Sequence, residues 1–196
     1  MHARGRILST SPDPPAIIYG IAPEIPGLTV PFTDPTVPEE RKLDVFIDWV
    51  SVYTTAVPEG VPITTESLHK HYTVLPRTST LLALSPEDLE RSTDPGANTR
   101  SLLVMGTDLG IRQRHARCAF SDADAVLPEV EILAIWCDQS VWLNAWAVKV
   151  FHELVQEAPE AGKKKRQTSF VRVKDANHFV SSYCSLRLAF QGSSSF

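Results

Sequence analysis

Three polar residues of this chain stand where chemistry could be done. Asp138 follows the run Glu131-Ile132-Leu133-Ala134-Ile135-Trp136, one residue past Cys137. His178 follows the alternating run Thr168 to Val173, inside Lys174-Asp175-Ala176-Asn177-His178-Phe179-Val180. Asp108 lies in Gly106-Thr107-Asp108-Leu109-Gly110, after a further apolar run from Ser101 to Met105. A carboxylate beside an imidazole is a proton-transfer pair, in which the acid fixes the ring and the ring takes a proton from a nucleophile.

Whether these residues meet depends on the elements that carry them. Continuous apolar residues up to Trp136 suit a strand covered on both faces, and Val141 to Gln156 repeats apolar side chains at helical spacing. With Thr168 to Val173 as a second strand, the unit is a βαβ crossover of a parallel sheet. Ligands of open α/β sheets collect beyond the carboxyl ends of the strands, which is where Asp138 and His178 both fall. The pattern therefore puts an acid and a base on one rim.

Upstream, prolines punctuate the chain from Pro12 to Pro95, and long regular elements are excluded except between them. One helix is expected after Pro38, with Leu43, Phe46, Ile47 and Val50 on a shared face. Others start at Thr64 and at Ser85, the latter with serine as N-cap and Pro86 at the first helical position. Asp108 to Ala125 reads as a further helix carrying His115, a surface or interface residue. Asp108 at its start suits the helix dipole. Arg6 to Thr10 reads as a short edge strand ended by Ser11-Pro12-Asp13-Pro14-Pro15. The resulting division is a lead-in over 1–15, a helical proline-rich region over 16–128, a βαβ unit over 129–180 and an irregular tail over 181–196.

With 196 residues, 43% hydrophobic and 21% charged, the chain can bury one sizeable core. A net charge of -4 argues against nucleic acid as a partner. The basic cluster Lys163-Lys164-Lys165-Arg166 reads as a solvated turn. Cys118, Cys137 and Cys184 are odd in number and far apart, which fits a reducing compartment rather than a disulfide framework. His69 and His71 face different sides of a helix and make poor metal partners, so neither metal nor cofactor is expected. Ile7-Leu8 is too short for a signal peptide, and no stretch approaches the ~20 apolar residues of a membrane span. A soluble cytoplasmic protein with no membrane partner is expected.

The strand ending in Trp136-Cys137-Asp138-Gln139-Ser140-Val141-Trp142, the helix, and the strand leading to Asp175-Ala176-Asn177-His178-Phe179-Val180 together resemble the last third of an α/β-hydrolase. The resemblance implies an α/β fold, here a partial hydrolase-like parallel sheet with a helical, proline-rich cap. It also implies catalytic roles for His178 as triad base and Asp138 as triad acid. The family's spacing puts Cys137 at a glycine position and Ser140 at the acid position, and some members carry the acid after the preceding strand, where Asp13 stands. The family's nucleophile elbow, Gly-x-Ser-x-Gly, does not occur in this sequence. The implied protein is a portion of a hydrolase for ester-like or other small apolar substrates, truncated and inactive alone.

Two other readings stand beside it. Gly106 to Gly110 is similar to the aspartate elbow of haloalkane dehalogenases and epoxide hydrolases, which would make the chain a complete small hydrolase with Asp108 as nucleophile. Alternatively the chain is a non-catalytic binding protein, because an incomplete sheet exposes an edge that a protein partner can cover.

Overall fold

The computed structural model describes residues 16–20, 25, 27–92, 106–122, 130–160, 162 and 166–179. Within these the protein is mixed α/β, with five α-helices and a two-strand parallel sheet. The strands are β1 (Ile132–Cys137) and β2 (Thr168–Val173), paired with Ile132 opposite Thr168 and Cys137 opposite Val173. The helices are α1 (Lys42–Ser51), α2 (Thr65–His71), α3 (Pro86–Ser92), α4 (Leu109–Ser121) and α5 (Trp142–Glu160). The expected strands at residues 6–10 and 101–105, Asp13, and the tail from residue 181 lie outside the described residues.

The crossover between the strands is α5, and its apolar stripe makes the core. Trp142, Leu143, Ala147, Phe151, Leu154, Val155 and Ala158 are all buried, a spacing of three and four that keeps one face inward. Ala158, fully buried, carries this helix past Gln156, where the expected helix stops. From α4 come Ala116 and Phe120, and the Phe120 ring stacks on Phe151 with centroids 4.3 Å apart. Tyr19 meets Phe151 edge-on at 4.8 Å, and burial raises its phenol pKa. On the sheet, Phe170 stacks on His152 of α5 at 3.6 Å, so the even-numbered face of β2 is the one turned to this helix.

Local caps form as the side chains dictate. Thr64 and Ser67 make a reciprocal capping box at α2. The Ser85 hydroxyl accepts the Asp88 N–H at 3.1 Å to start α3. Asp108 caps α4 by accepting the Ile111 N–H at 3.2 Å, and the helix ends at Ser121, short of Ala125.

Two expectations need correction. The shared face of α1 is not buried along its length: Val50 is 7% exposed but Leu43 is 39% exposed, because only the C-terminal end of the helix reaches the core. The basic turn is not wholly solvated either. Arg166 is 3% exposed and its Nη1 donates to the Val130 carbonyl at 2.9 Å, so a buried guanidinium closes the entry to β1.

Phe151→Ala removes the ring that Tyr19 and Phe120 both contact and is expected to cost about 3–5 kcal/mol, read as a lowered urea midpoint at unchanged slope. His152 gives a pH dependence. Burial beside Phe170 lowers its pKa, so the unfolded chain takes up the proton first as pH falls. Its contribution to stability is complete above the ordinary histidine value of about 6.5 and is lost as pH drops through the lower folded value. His152→Gln should therefore flatten the fall in urea midpoint on acidification.

Candidate functional site

Beyond Cys137 the sheet ladder continues into two loops held side by side. The Asp138 N–H donates to the Val173 carbonyl at 3.1 Å, and the Gln139 N–H donates to the Ala176 carbonyl at 3.0 Å. Because the strands run parallel, both loops leave the same edge, and each carries one of the candidate residues.

Asp138 is turned inward, its side chain 7% exposed. Oδ2 accepts from Arg172 Nε at 3.0 Å, and Oδ1 accepts the Asp175 N–H at 2.9 Å. Arg172 also donates from Nη2 to the Val57 carbonyl at 2.9 Å, and its guanidinium lies 5.2 Å from the centre of the Trp136 ring. Asp175 adopts a left-handed backbone, φ 58°, which non-glycine residues seldom do. Its N–H is thereby aimed at Asp138, while Gln139 Nε2 donates to its carboxylate at 3.3 Å.

Asn177 is 1% exposed and joins this loop to the helical region. Its Nδ2 donates to the Ser51 carbonyl at 2.7 Å and to Thr80 Oγ1 at 2.8 Å, and its Oδ1 accepts the Phe179 N–H at 3.1 Å. The segment leaving α1 also grips the other loop: the Thr54 N–H donates to Gln139 O at 2.9 Å, and Thr54 Oγ1 donates to Ser140 O at 2.6 Å.

His178 is half-buried. Its Nδ1 lies 3.4 Å from Asn144 Nδ2 in the first turn of α5, and that same Nδ2 donates to Ser140 Oγ at 2.7 Å. Asp138 and His178 thus share one rim, but neither Asp138 oxygen is hydrogen-bonded to the ring among the described residues. Asp108 is exposed and committed to its cap. His115 and His69 are exposed and His71 is half-buried. Among the described residues no three His, Cys, Asp or Glu side chains gather as a metal site, and no helix is long and apolar enough to cross a membrane.

A cleft of about 490 Å3 opens beside the rim, walled by Val57, Ile63, Trp136, Val148, His152 and Arg172. That volume falls within the range of small-molecule sites. Three residues that hold the site escape a reading of the sequence for chemistry: Arg172, Asn144 and Asn177. Arg172 had a signal, since Thr168, Phe170 and Arg172 share one face of β2 and a charge on a covered face requires a partner. Asn177 had none, because Ser51 and Thr80 are distant in the chain, and Asn144, although only four residues from Ser140, is far in the chain from His178.

Compared with known proteins, the chain matches no family model, no curated protein and no solved structure.

Removing one partner of the Asp138–Arg172 pair strands the other. Asp138→Asn is expected to cost about 2–3 kcal/mol, and Arg172→Met a similar amount. In a double-mutant cycle followed by urea unfolding, the double variant should lose less than the sum of the two single ones.

Proposed function

We propose that this chain is the cap and the last two core strands of an α/β-hydrolase acting on ester-like or other small apolar substrates, without hydrolytic activity of its own. The observation that carries the reading is the placement of His178. It follows the second of two parallel strands joined by α5, and Asn177 beside it is bonded to Ser51 and Thr80 of the proline-rich region. A cap that hydrogen-bonds to the histidine loop suits a substrate site lying between cap and sheet edge. The apolar walls of the neighbouring cleft, Val57, Ile63, Trp136 and Val148, suit a substrate of low polarity.

The sequence contains no Gly-x-Ser-x-Gly, the turn that presents the family's activated hydroxyl to such a base. Asp108 as an alternative nucleophile has less support, its carboxylate being an exposed helix cap. A non-catalytic binding protein draws support from one feature, the 43% exposure of Val171 on the sheet face turned away from α5.

The purified chain is expected to hydrolyse p-nitrophenyl esters no faster than buffer, with His178→Ala indistinguishable from it. A rate that His178→Ala abolishes would overturn the expectation of inactivity. Sequencing the full-length transcript through both ends of the reading frame tests the family. An in-frame segment encoding strand, Gly-x-Ser-x-Gly and helix supports the hydrolase, and a message without one favours the binding protein.

A further inference from the structure

We propose that the cleft of about 490 Å3 beside the rim binds a neutral, largely apolar molecule with one acceptor oxygen, such as an aryl ester or ketone. Arg172 selects that molecule by donating to its oxygen from Nη1. The walls are held before any ligand arrives. Trp136 and Arg172 are register partners on β1 and β2, so their side chains share the sheet face turned to α5. Val148 and His152 stand one helical turn apart on α5 and make the second wall. The third is the segment from Val57 to Thr64, whose Val57 carbonyl accepts from Arg172 Nη2 at 2.9 Å. Pro58 and Pro62 fix φ in that segment, and the Val61 N–H closes a turn on the Pro58 carbonyl at 3.1 Å.

Charge decides what fits. Among the charged walls, Lys149 is 2.6 Å from Glu153, and Arg172 is 3.0 Å from the carboxylate of Asp138, which is not itself a wall. Burial lowers the pKa of His152, which favours its neutral form near pH 7. An anion would share the cleft with Glu153, and a cation would share it with Lys149 and Arg172, so neither finds an unpaired opposite charge. A guanidinium carries five N–H donors. Arg172 gives Nε to Asp138 and one Nη2 hydrogen to Val57, and Nη1 meets no acceptor among the described residues. The complement of that donor in a neutral, apolar wall is a carbonyl oxygen, with the rest of the molecule against Val57, Ile63, Trp136 and Val148. Neither His178 nor Asp108 is among the walls. Calling the molecule a substrate rests on the hydrolase reading; its binding does not.

The test titrates the full 15N-labelled chain at about pH 8, where an ordinary imidazole is neutral, with three probes of similar size: methyl benzoate, benzoate and ethylbenzene. Binding is read from 1H–15N correlation spectra. Methyl benzoate is expected to shift the amides of Gly60 and Val61 and the Trp136 indole saturably, with a Kd of about 1 mM. Ethylbenzene, which lacks the acceptor, and benzoate, which bears a charge, should each bind about tenfold more weakly. Arg172→Met should erase the preference for methyl benzoate over ethylbenzene, and a preference that survives it overturns the proposal. So does the absence of a saturable shift with methyl benzoate, or binding that leaves residues 57–64 and Trp136 unmoved. Equal binding of ethylbenzene denies Arg172 its role, and tighter binding of benzoate makes the cleft an anion site; either result overturns the proposal. Should Arg172→Met not fold, the three probes on the native chain still decide. Release of methanol from methyl benzoate, read in the same samples, would count against the inactivity argued above without altering which residues shift, so the two failures are distinguishable.

Discussion

The rim depends on the carboxylate of Asp138, a group turned away from water and given two donors by the fold. A buried charge is tolerated only when paired and hydrogen-bonded, and Arg172 Nε and the Asp175 N–H meet that demand from the neighbouring strand and its loop. Each contact then constrains something else. Arg172 reaches on to Val57 and so draws the segment after α1 to the sheet. Asp175 is kept in a left-handed conformation that costs about 1–2 kcal/mol for a residue with a Cβ. The turn that this produces directs the chain toward Asn177 and His178, so an electrostatic requirement inside the sheet edge sets where the imidazole stands.

The second tie is neutral. Asn177 spends its amide on Ser51, Thr80 and Phe179, and buried amide hydrogen bonds fix geometry because a displaced partner would leave an unpaired polar group in a dry site. Its partners belong to the proline-rich region, which is itself braced near the rim. The Thr55 N–H donates to Thr73 O and the Leu75 N–H to Tyr53 O, both at 2.8 Å, and the Thr55 hydroxyl donates to the His71 carbonyl. Short helices that could not stand alone in water are in this way held by loop-to-loop bonds rather than by a large apolar face.

What was legible beforehand was local. β2 occupies the alternating run at Thr168 to Val173 because alternation is a property of neighbouring residues. The caps at Thr64 and Ser85 form because a hydroxyl serves an N–H three residues on. The parallel arrangement and the shared rim also followed, from one apolar run, one helical run and the crossover rule. What was not legible depends on contacts across long stretches of chain. Arg166 reads as the end of a solvated basic run, yet its guanidinium serves Val130. Leu43 fits a helical stripe, yet the stripe outruns the surface that could cover it. Asp138 reads as a triad acid from its place after a strand, and only the inward-facing Arg172 reveals a competing claim on the same oxygens.

That competition bears on any chemistry the rim could support. A triad acid works by presenting net negative charge to a developing imidazolium, and a guanidinium at 3.0 Å offsets much of that charge. The oxygens of Asp138 are arranged to brace the strand ends, a task that demands permanence, whereas support of a base demands a charge held in reserve. An amide at the ring supplies orientation without charge, which is what Asn144 offers from the rigid first turn of α5. Position and charge, which one carboxylate provides together in a working triad, are here divided between two side chains. The division leaves an amide beside the imidazole and the carboxylate of the same rim engaged by a guanidinium.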